Sequence, residues 1–344
     1  MSRPGSVLST PPNHQPSRER PDTVRSDRRL RVVAVLATTT TFLLVAIGAL
    51  VRATGSGEGC TGWPKCSAGR WLPPLEYHAI IEYSHRMTAV IDIALVAVLA
   101  VVAWRGYRAV PRVFRPATAA VGLIVAQAVM GAIVVKGDLA ALLVTAHFGT
   151  AMILVGVLVA ASVAGFSVDP RAVRPSDGFA RLAVVTAAAT YVLMAVGAYV
   201  RGEGAGLVFP DWPLMNGRLV PGLGTTPAAL HFAHRALALG VGALVAAVAV
   251  AAWTGRARPG WAPPVVLALV SAGLFVAQVL IGAANVWSHL AAPAVVAHVA
   301  VAGLLWGSVV ATAVAARVTW PPAPDGSERP DTTAGAGIEG AEGR

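Results

Sequence analysis

Four histidines stand where they could do chemistry inside a bilayer. His85, His147, His234 and His298 each fall roughly 5–7 residues inside one end of a long apolar run. At a helical rise of about 1.5 Å per residue, that is about 8–10 Å below the end. A polar side chain at such a depth is costly and is functional by default. Of the other histidines, His14 lies in the N-terminal tail, His78 and His289 sit at or beyond the ends of runs, and His231 is about one turn from an end. Two neutral imidazoles facing each other at one depth can take both axial positions of a haem iron, and bundle interiors are common cofactor sites. A lone histidine would more simply hydrogen-bond a neighbouring helix. Four at matched positions favour iron in a haem, and no cysteine or carboxylate cluster completes a copper or zinc site.

The histidines are matched because the chain is a duplication. Arg52 pairs with Arg201, Trp63-Pro64 with Trp212-Pro213, and His85-Arg86 with His234-Arg235, all at an offset of 149 residues. Gln127-x-x-x-Gly131-Ala132 pairs with Gln278-x-x-x-Gly282-Ala283, and His147 with His298, at an offset of 151. The repeat breaks at one informative place: Glu82, three residues before His85, is answered by His231. Residues three apart share a helix face, so Glu82 points toward whatever His85 ligates. Its structural alternative is an ion pair with Arg86 or an outer-loop arginine. The asymmetry suggests that one unit does chemistry while the other holds a permanent cofactor. Arg86 and Arg235 are candidates for haem propionates, against simple snorkelling to the interface. Gln127, Gln278 and Asn285 read as helix–helix hydrogen-bonding groups.

The elements that must position these residues follow from composition. The 344 residues are 56% hydrophobic and 13% charged, against about 25% charged in soluble domains. Eight runs are long enough for the roughly 20 apolar residues that span hydrocarbon: about 31–51, 79–103, 117–135, 141–165, 180–200, 229–253, 263–284 and 293–316. Helix is the only sensible form, because an isolated strand leaves its backbone unsatisfied in lipid and no barrel alternation is present. The fold class is therefore all-α integral membrane, two tandem four-helix bundles related by a pseudo-two-fold axis along the membrane normal. The expected organisation is a disordered cytoplasmic tail at 1–30, an N-terminal bundle at 31–165, a cytoplasmic linker at 166–179, a C-terminal bundle at 180–316 and a second disordered tail at 317–344.

The net charge of +10 does not indicate nucleic acid, since no aromatic-basic module accompanies the arginines. They fall instead in the N-terminal tail (Arg18, Arg20, Arg25, Arg28, Arg29, Arg31) and after the second, fourth and sixth spans (Arg105, Arg108, Arg112, Arg115; Arg171, Arg174; Arg256, Arg258). The intervening loops carry Glu58, Glu76, Asp138, Glu203 and Asp211. The positive-inside rule then places both termini in the cytoplasm of a multi-pass cell-membrane protein. Cys60 and Cys66, the only cysteines, fall in the first outer loop, where an oxidising compartment lets them pair. Two unrelated thiols are the alternative.

The stretch GALVRATGSG, the cysteine pair around a Trp-Pro, Glu82-x-x-His85-Arg86, the second His234-Arg235 and a later histidine in each half resemble the haem A synthase family, over about residues 31–316. The cysteine pair resembles the bacterial type. This resemblance implies oxidation of the C8 methyl of haem O to a formyl group, giving haem A for terminal oxidases. It implies resident haem b on His234 and His298, substrate haem O between His85 and His147, and Glu82 acting near the methyl. The farnesyl chain of the substrate would explain a site within membrane lipid. An electron donor is required but not identified, and haem O synthase and an oxidase assembly pathway are expected partners. Small residues on several helices make a homo-oligomer plausible but unspecific. The main rival is a bis-histidine di-haem electron carrier of cytochrome b type, which leaves Glu82 unexplained. A transporter or haem-handling chaperone would instead need a polar path to both faces.

Overall fold

The computed structural model describes residues 28–62, 65–67, 69, 71–137, 139–166, 175–318 and 320. Trp63-Pro64, Asp138, Arg171, Arg174 and nearly all of both tails lie outside the described residues. Eight long helices follow in order: α1 (Arg28–Ala53), α2 (Tyr77–Gly106), α3 (Pro111–Lys136), α4 (Ala141–Phe166), α5 (Asp177–Gly202), α6 (Thr226–Gly255), α7 (Ala262–Trp287) and α8 (Ala292–Ala315). All eight are long and apolar enough to cross a membrane, so the protein is a multi-pass membrane protein. No described residue belongs to a strand. The apolar runs gave the helices because hydrocarbon requires every backbone group to bond within its own segment. The helices overrun the sequence-predicted spans by a few residues. At 30 residues each, α2 and α6 extend past a core about 30 Å thick.

Helix ends are set locally. Ser176 and Thr225 cap α5 and α6 by accepting from the Phe179 and Ala228 amides, and prolines occupy the first turns of α3, α6, α7 and α8, where an amide donor is not needed. Just beyond α1 and α5 the chain turns through Gly55 and Gly204, both at φ 67°. A side chain there would be strained, so both positions require glycine. Each glycine leads into a short 3-10 turn, Ser56–Glu58 or Ala205–Leu207.

The packing pattern of the first four helices recurs in the last four. α1 lies on α2 and α4, and α3 lies on α2 and α4; α5 lies on α6 and α8, and α7 lies on α6 and α8. Contacts of α1 with α8, and of α4 with α5 and α8, join the halves. The junction buries Met152, Val155, Met194, Ala302 and Trp306. There the Trp306 indole donates to the Met152 carbonyl at 2.7 Å, so its one polar atom is satisfied in the core. The long connections at 54–76 and 203–225 lie at one end of the helices, called here the loop side, opposite both termini.

Candidate functional site

The four histidines enter their helices at paired heights. His85 and His234 are 8 residues past the starts of α2 and α6; His147 and His298 are 6 past the starts of α4 and α8. At about 1.5 Å per residue these depths are about 12 and 9 Å below the loop-side helix ends. His85 and His147 lie within electrostatic range of each other, and so do His298 and His234. The structure thus brings together one histidine pair in each half.

Each imidazole is seated on a glycine of the preceding helix. A Cβ added to Gly48, Gly131, Gly197 or Gly282 would stand 3.2, 3.6, 2.8 or 3.3 Å from Cε1 of His85, His147, His234 or His298. Absence of a side chain lets the ring reach the helix backbone. His85 lies beside the Leu44 carbonyl and His234 beside the Leu193 carbonyl, each one turn before the seating glycine. Nδ1 of His85, His147 and His234 is buried without a well-formed hydrogen bond. A histidine that binds iron through Nε2 normally donates Nδ1–H to such a carbonyl, which fixes the tautomer and ring plane. Gln127 and Gln278 brace the fourth helix of each half, their amides donating to the His147 and His298 backbone carbonyls at 3.0 Å. Half-buried imidazoles, one pair in each half and each seated on a glycine of the preceding helix, fit haem iron. Among the described residues no three His, Cys, Asp or Glu side chains converge as a metal site of their own.

Above the first pair, Glu82 is 4% exposed. It accepts from the Cys60 amide at 2.7 Å and forms an ion pair with Arg86, the pairing left open as an alternative by the sequence. Arg86 also donates to the carbonyls of Gly62 (2.7 Å) and Lys65 (3.5 Å). Arg235 does the equivalent work in the second half: it donates to the carbonyls of Asp211 and Leu214 at 3.1 and 2.9 Å, and to His231 Nε2 at 3.2 Å. All of these correspondences keep the 149-residue offset. Both arginines therefore fold the loop back onto its own helix.

Cys60 and Cys66 are disulfide-bonded and pack with Ala79 and Tyr83. Their counterparts are Phe209 and Met215, packed with Ala228 and Phe232. One loop is closed by a covalent bond, the other by apolar contact. Asp211 adds to the second closure by accepting from the Asn216 and Gly217 amides, each at 2.7 Å. Those donors, first the Gly217 amide, hold its carboxyl below the usual carboxylate range. Joint replacement of Cys60 and Cys66 by serine is expected to destabilise the closed loop by about 2 kcal/mol, the entropy of so short a cross-link. Faster hydrogen exchange at the residue-60 amide would register this, since that amide holds Glu82. Unchanged exchange would mean that Arg86 alone keeps the loop closed.

Two features escaped the sequence reading of the site. Arg52 and Arg201, noted only as a repeat pair, end α1 and α5 one turn beyond the seating glycines Gly48 and Gly197, and approach closely enough to repel. Among the described residues neither has an ion-pair partner, and Arg201 Nε is buried and unbonded. Asp92, a carboxyl group in the middle of an apolar run, has no counterpart acid in the second half and is fully buried.

The sequence pattern of the cytochrome oxidase assembly protein family (COX15-CtaA) matches residues 31–310. The chain is 34% identical over 215 residues to "Heme A synthase" of Alkalihalophilus pseudofirmus, covering 60% of this chain and 71% of that protein. It is 34% identical over 235 residues to "Heme A synthase" of Halalkalibacterium halodurans, covering 67% and 77%. To "Heme A synthase" of Shouchella clausii it is 30% identical over 268 residues, covering 76% and 87%.

Proposed function

The chain belongs to the cytochrome oxidase assembly protein family, and from that footing we propose how its two halves share one oxidation. It is a membrane oxidoreductase that converts haem O to haem A. Its cofactor is haem-related. In our reading, 31–165 forms the substrate bundle and 180–316 the cofactor bundle, set about a pseudo-two-fold axis along the membrane normal. Haem b is held by His234 and His298; haem O is received between His85 and His147. The observation that carries this division is the break in the repeat beside the matched histidines: Glu82 lies one turn above His85, whereas His231 takes its place above His234.

Haem iron supplies the route by which electrons leave an unactivated methyl group. The chain supplies position and charge. The glycine seats and the two glutamines fix the imidazoles, because a ligand ring free to rotate would hold iron poorly. Glu82, pinned by the Cys60 amide and Arg86, keeps a carboxylate one turn above the first site, from which it would stabilise positive charge developing on the substrate or take up a proton. Arg86 and Arg235 are committed to loop carbonyls, and turning them to a propionate would forfeit those bonds. We therefore assign the propionates to Arg52 and Arg201, which stand one turn nearer the loop side than the rings and lack carboxylate partners. The substrate haem O would then have its carboxylates at the loop side and its farnesyl chain deeper in the bilayer.

The test is haem extraction and chromatography from membranes of cells that make haem O. Haem A should appear only when this chain is expressed. If the protein binds haem b alone and haem O passes unchanged, the four histidines serve a di-haem electron carrier instead.

The arginine distribution supports placement in the cell membrane with both termini cytoplasmic. Alkaline phosphatase joined after Leu223 should then be active, and joined after Arg256 inactive; the reverse result would invert the topology. Haem O synthase is the natural source of the substrate. A separate electron donor, and self-association through small-residue helix faces, complete the proposed partners.

A further inference from the structure

Asp92 lies on α2 seven residues after His85, two turns further from the loop side and on the same face; the separation is about 10 Å along the helix. It is 0% exposed. Among the described residues Thr41 of α1 is its sole hydrogen-bond partner: Thr41 Oγ1 is 2.9 Å from Oδ1 and 3.0 Å from Oδ2, and 2.8 Å from the Ala37 carbonyl oxygen. One hydroxyl hydrogen faces three acceptor atoms. An ionised Asp92 would leave either the carboxylate without a donor or the hydroxyl turned away from its own helix. A protonated Asp92 resolves the count: the acid O–H donates to Thr41 Oγ1, and the Thr41 hydroxyl donates to Ala37. Buried polar groups are satisfied as a rule, and an unpaired charge at mid-membrane is among the costliest arrangements.

Among the described residues no cation offsets the charge of an ionised Asp92. On α1 the arginines stand at the ends, Arg28, Arg29 and Arg31 at one and Arg52 at the other; on α3 Arg112 and Arg115 begin the helix and Lys136 ends it. On α2 itself Glu82, His85 and Arg86 lie on the loop side and Arg105 at the far end. In the second half Thr190 keeps the threonine, but Val241 replaces the acid. Among the described residues, Glu82 and Asp92 are the only carboxylates inside a helix beyond its first turn, and both are on α2.

We propose that Asp92 is held as the neutral acid and is the proton-exchanging group of the N-terminal haem site, releasing its proton when that site gains positive charge. On release the acid becomes a carboxylate and its proton leaves to water. In the same event the Thr41 hydroxyl turns from Ala37 to the carboxylate, so the anion keeps one donor. Thr41 is a positioning residue for this exchange. The inference rests on the reading of His85 and His147 as a haem site, but the proton on Asp92 does not.

Infrared spectra of the purified full chain in lipid vesicles test it in two stages. In haem-free protein, a carboxylic acid C=O band that shifts in D2O should be present, should vanish in Asp92→Asn and should move in Thr41→Val. A band unaltered by Asp92→Asn overturns the proposal. In haem-loaded protein, reduced-minus-oxidised spectra should show that same band changing intensity, and Thr41→Val should suppress the change. A band silent to haem reduction makes Asp92 a static tie between α1 and α2 and also overturns the exchange. Failure of the haem-site reading would register separately, as absent haem absorption with the acid band intact.

Discussion

Replacing Glu82 with alanine is expected to cut conversion of haem O to haem A by at least about 100-fold, the lower end of what a positioned acid or base contributes, while bound haem persists. Retention of haem follows from the geometry: the seats and glutamine braces of both histidine pairs do not involve Glu82. Its loss does release Arg86 and the Cys60 amide. Truncating one member of a buried pair costs about 3–5 kcal/mol, so loosening of the loop must be separated from lost chemistry. Two companions do this. Arg86→Ala breaks the same pair but keeps the carboxylate, and Glu82→Gln keeps most of the hydrogen bonding but not the charge. If Glu82 acts on the substrate, Glu82→Gln falls nearly as far as Glu82→Ala, and Arg86→Ala falls less. Equal losses in Arg86→Ala and Glu82→Ala with an active Glu82→Gln would assign Glu82 to loop closure alone. The readout is the haem A to haem O ratio in extracts, normalised to haem bound.

The second large effect is expected from Gly197→Val. A Cβ here would lie 2.8 Å from His234 Cε1 and 3.2 Å from Nδ1, closer than side chains tolerate. The ring must leave both the glycine and the Leu193 carbonyl beside it. Disturbing the group that orients a metal ligand typically weakens binding about 10–100-fold, and here the ligand itself is displaced. Haem in the C-terminal half should be largely lost, with bound haem per chain falling by about half when both halves are loaded. Gly240→Val provides the control: it is in the same half, on α6, and a Cβ there meets nothing within 4 Å. Equal haem content in the two variants would show that the seat does not position His234.

The glycine seats illustrate where sequence reading stops. Gly131 and Gly282 were visible as parts of a repeated Gln-x-x-x-Gly-Ala, yet nothing local said that each lies beneath a histidine 16 residues later. Arg86 is a similar case. Its repetition as Arg235 suggested one shared task, and the structure gives that task as holding loop carbonyls. Of the three amides read as helix–helix bonding groups, Gln127 and Gln278 do bond the next helix, whereas Asn285 donates to the Ile281 carbonyl of its own helix at 3.1 Å.

The sequence by itself determined the eight membrane helices, since hydrocarbon thickness imposes a length and polarity that can be counted along a single segment. It also determined which residues are equivalent, because a duplication is written in one dimension. Tertiary structure alone decided which equivalent residues touch, and what they touch. Thr41 meets Asp92 across 51 positions, and Trp306 meets Met152 across 154 although their helices belong to different halves. Such contacts depend on the rotation of each helix about its axis. That rotation is settled by the packing of neighbours on every side at once, and the weakly patterned apolar surface of a membrane helix does not record it.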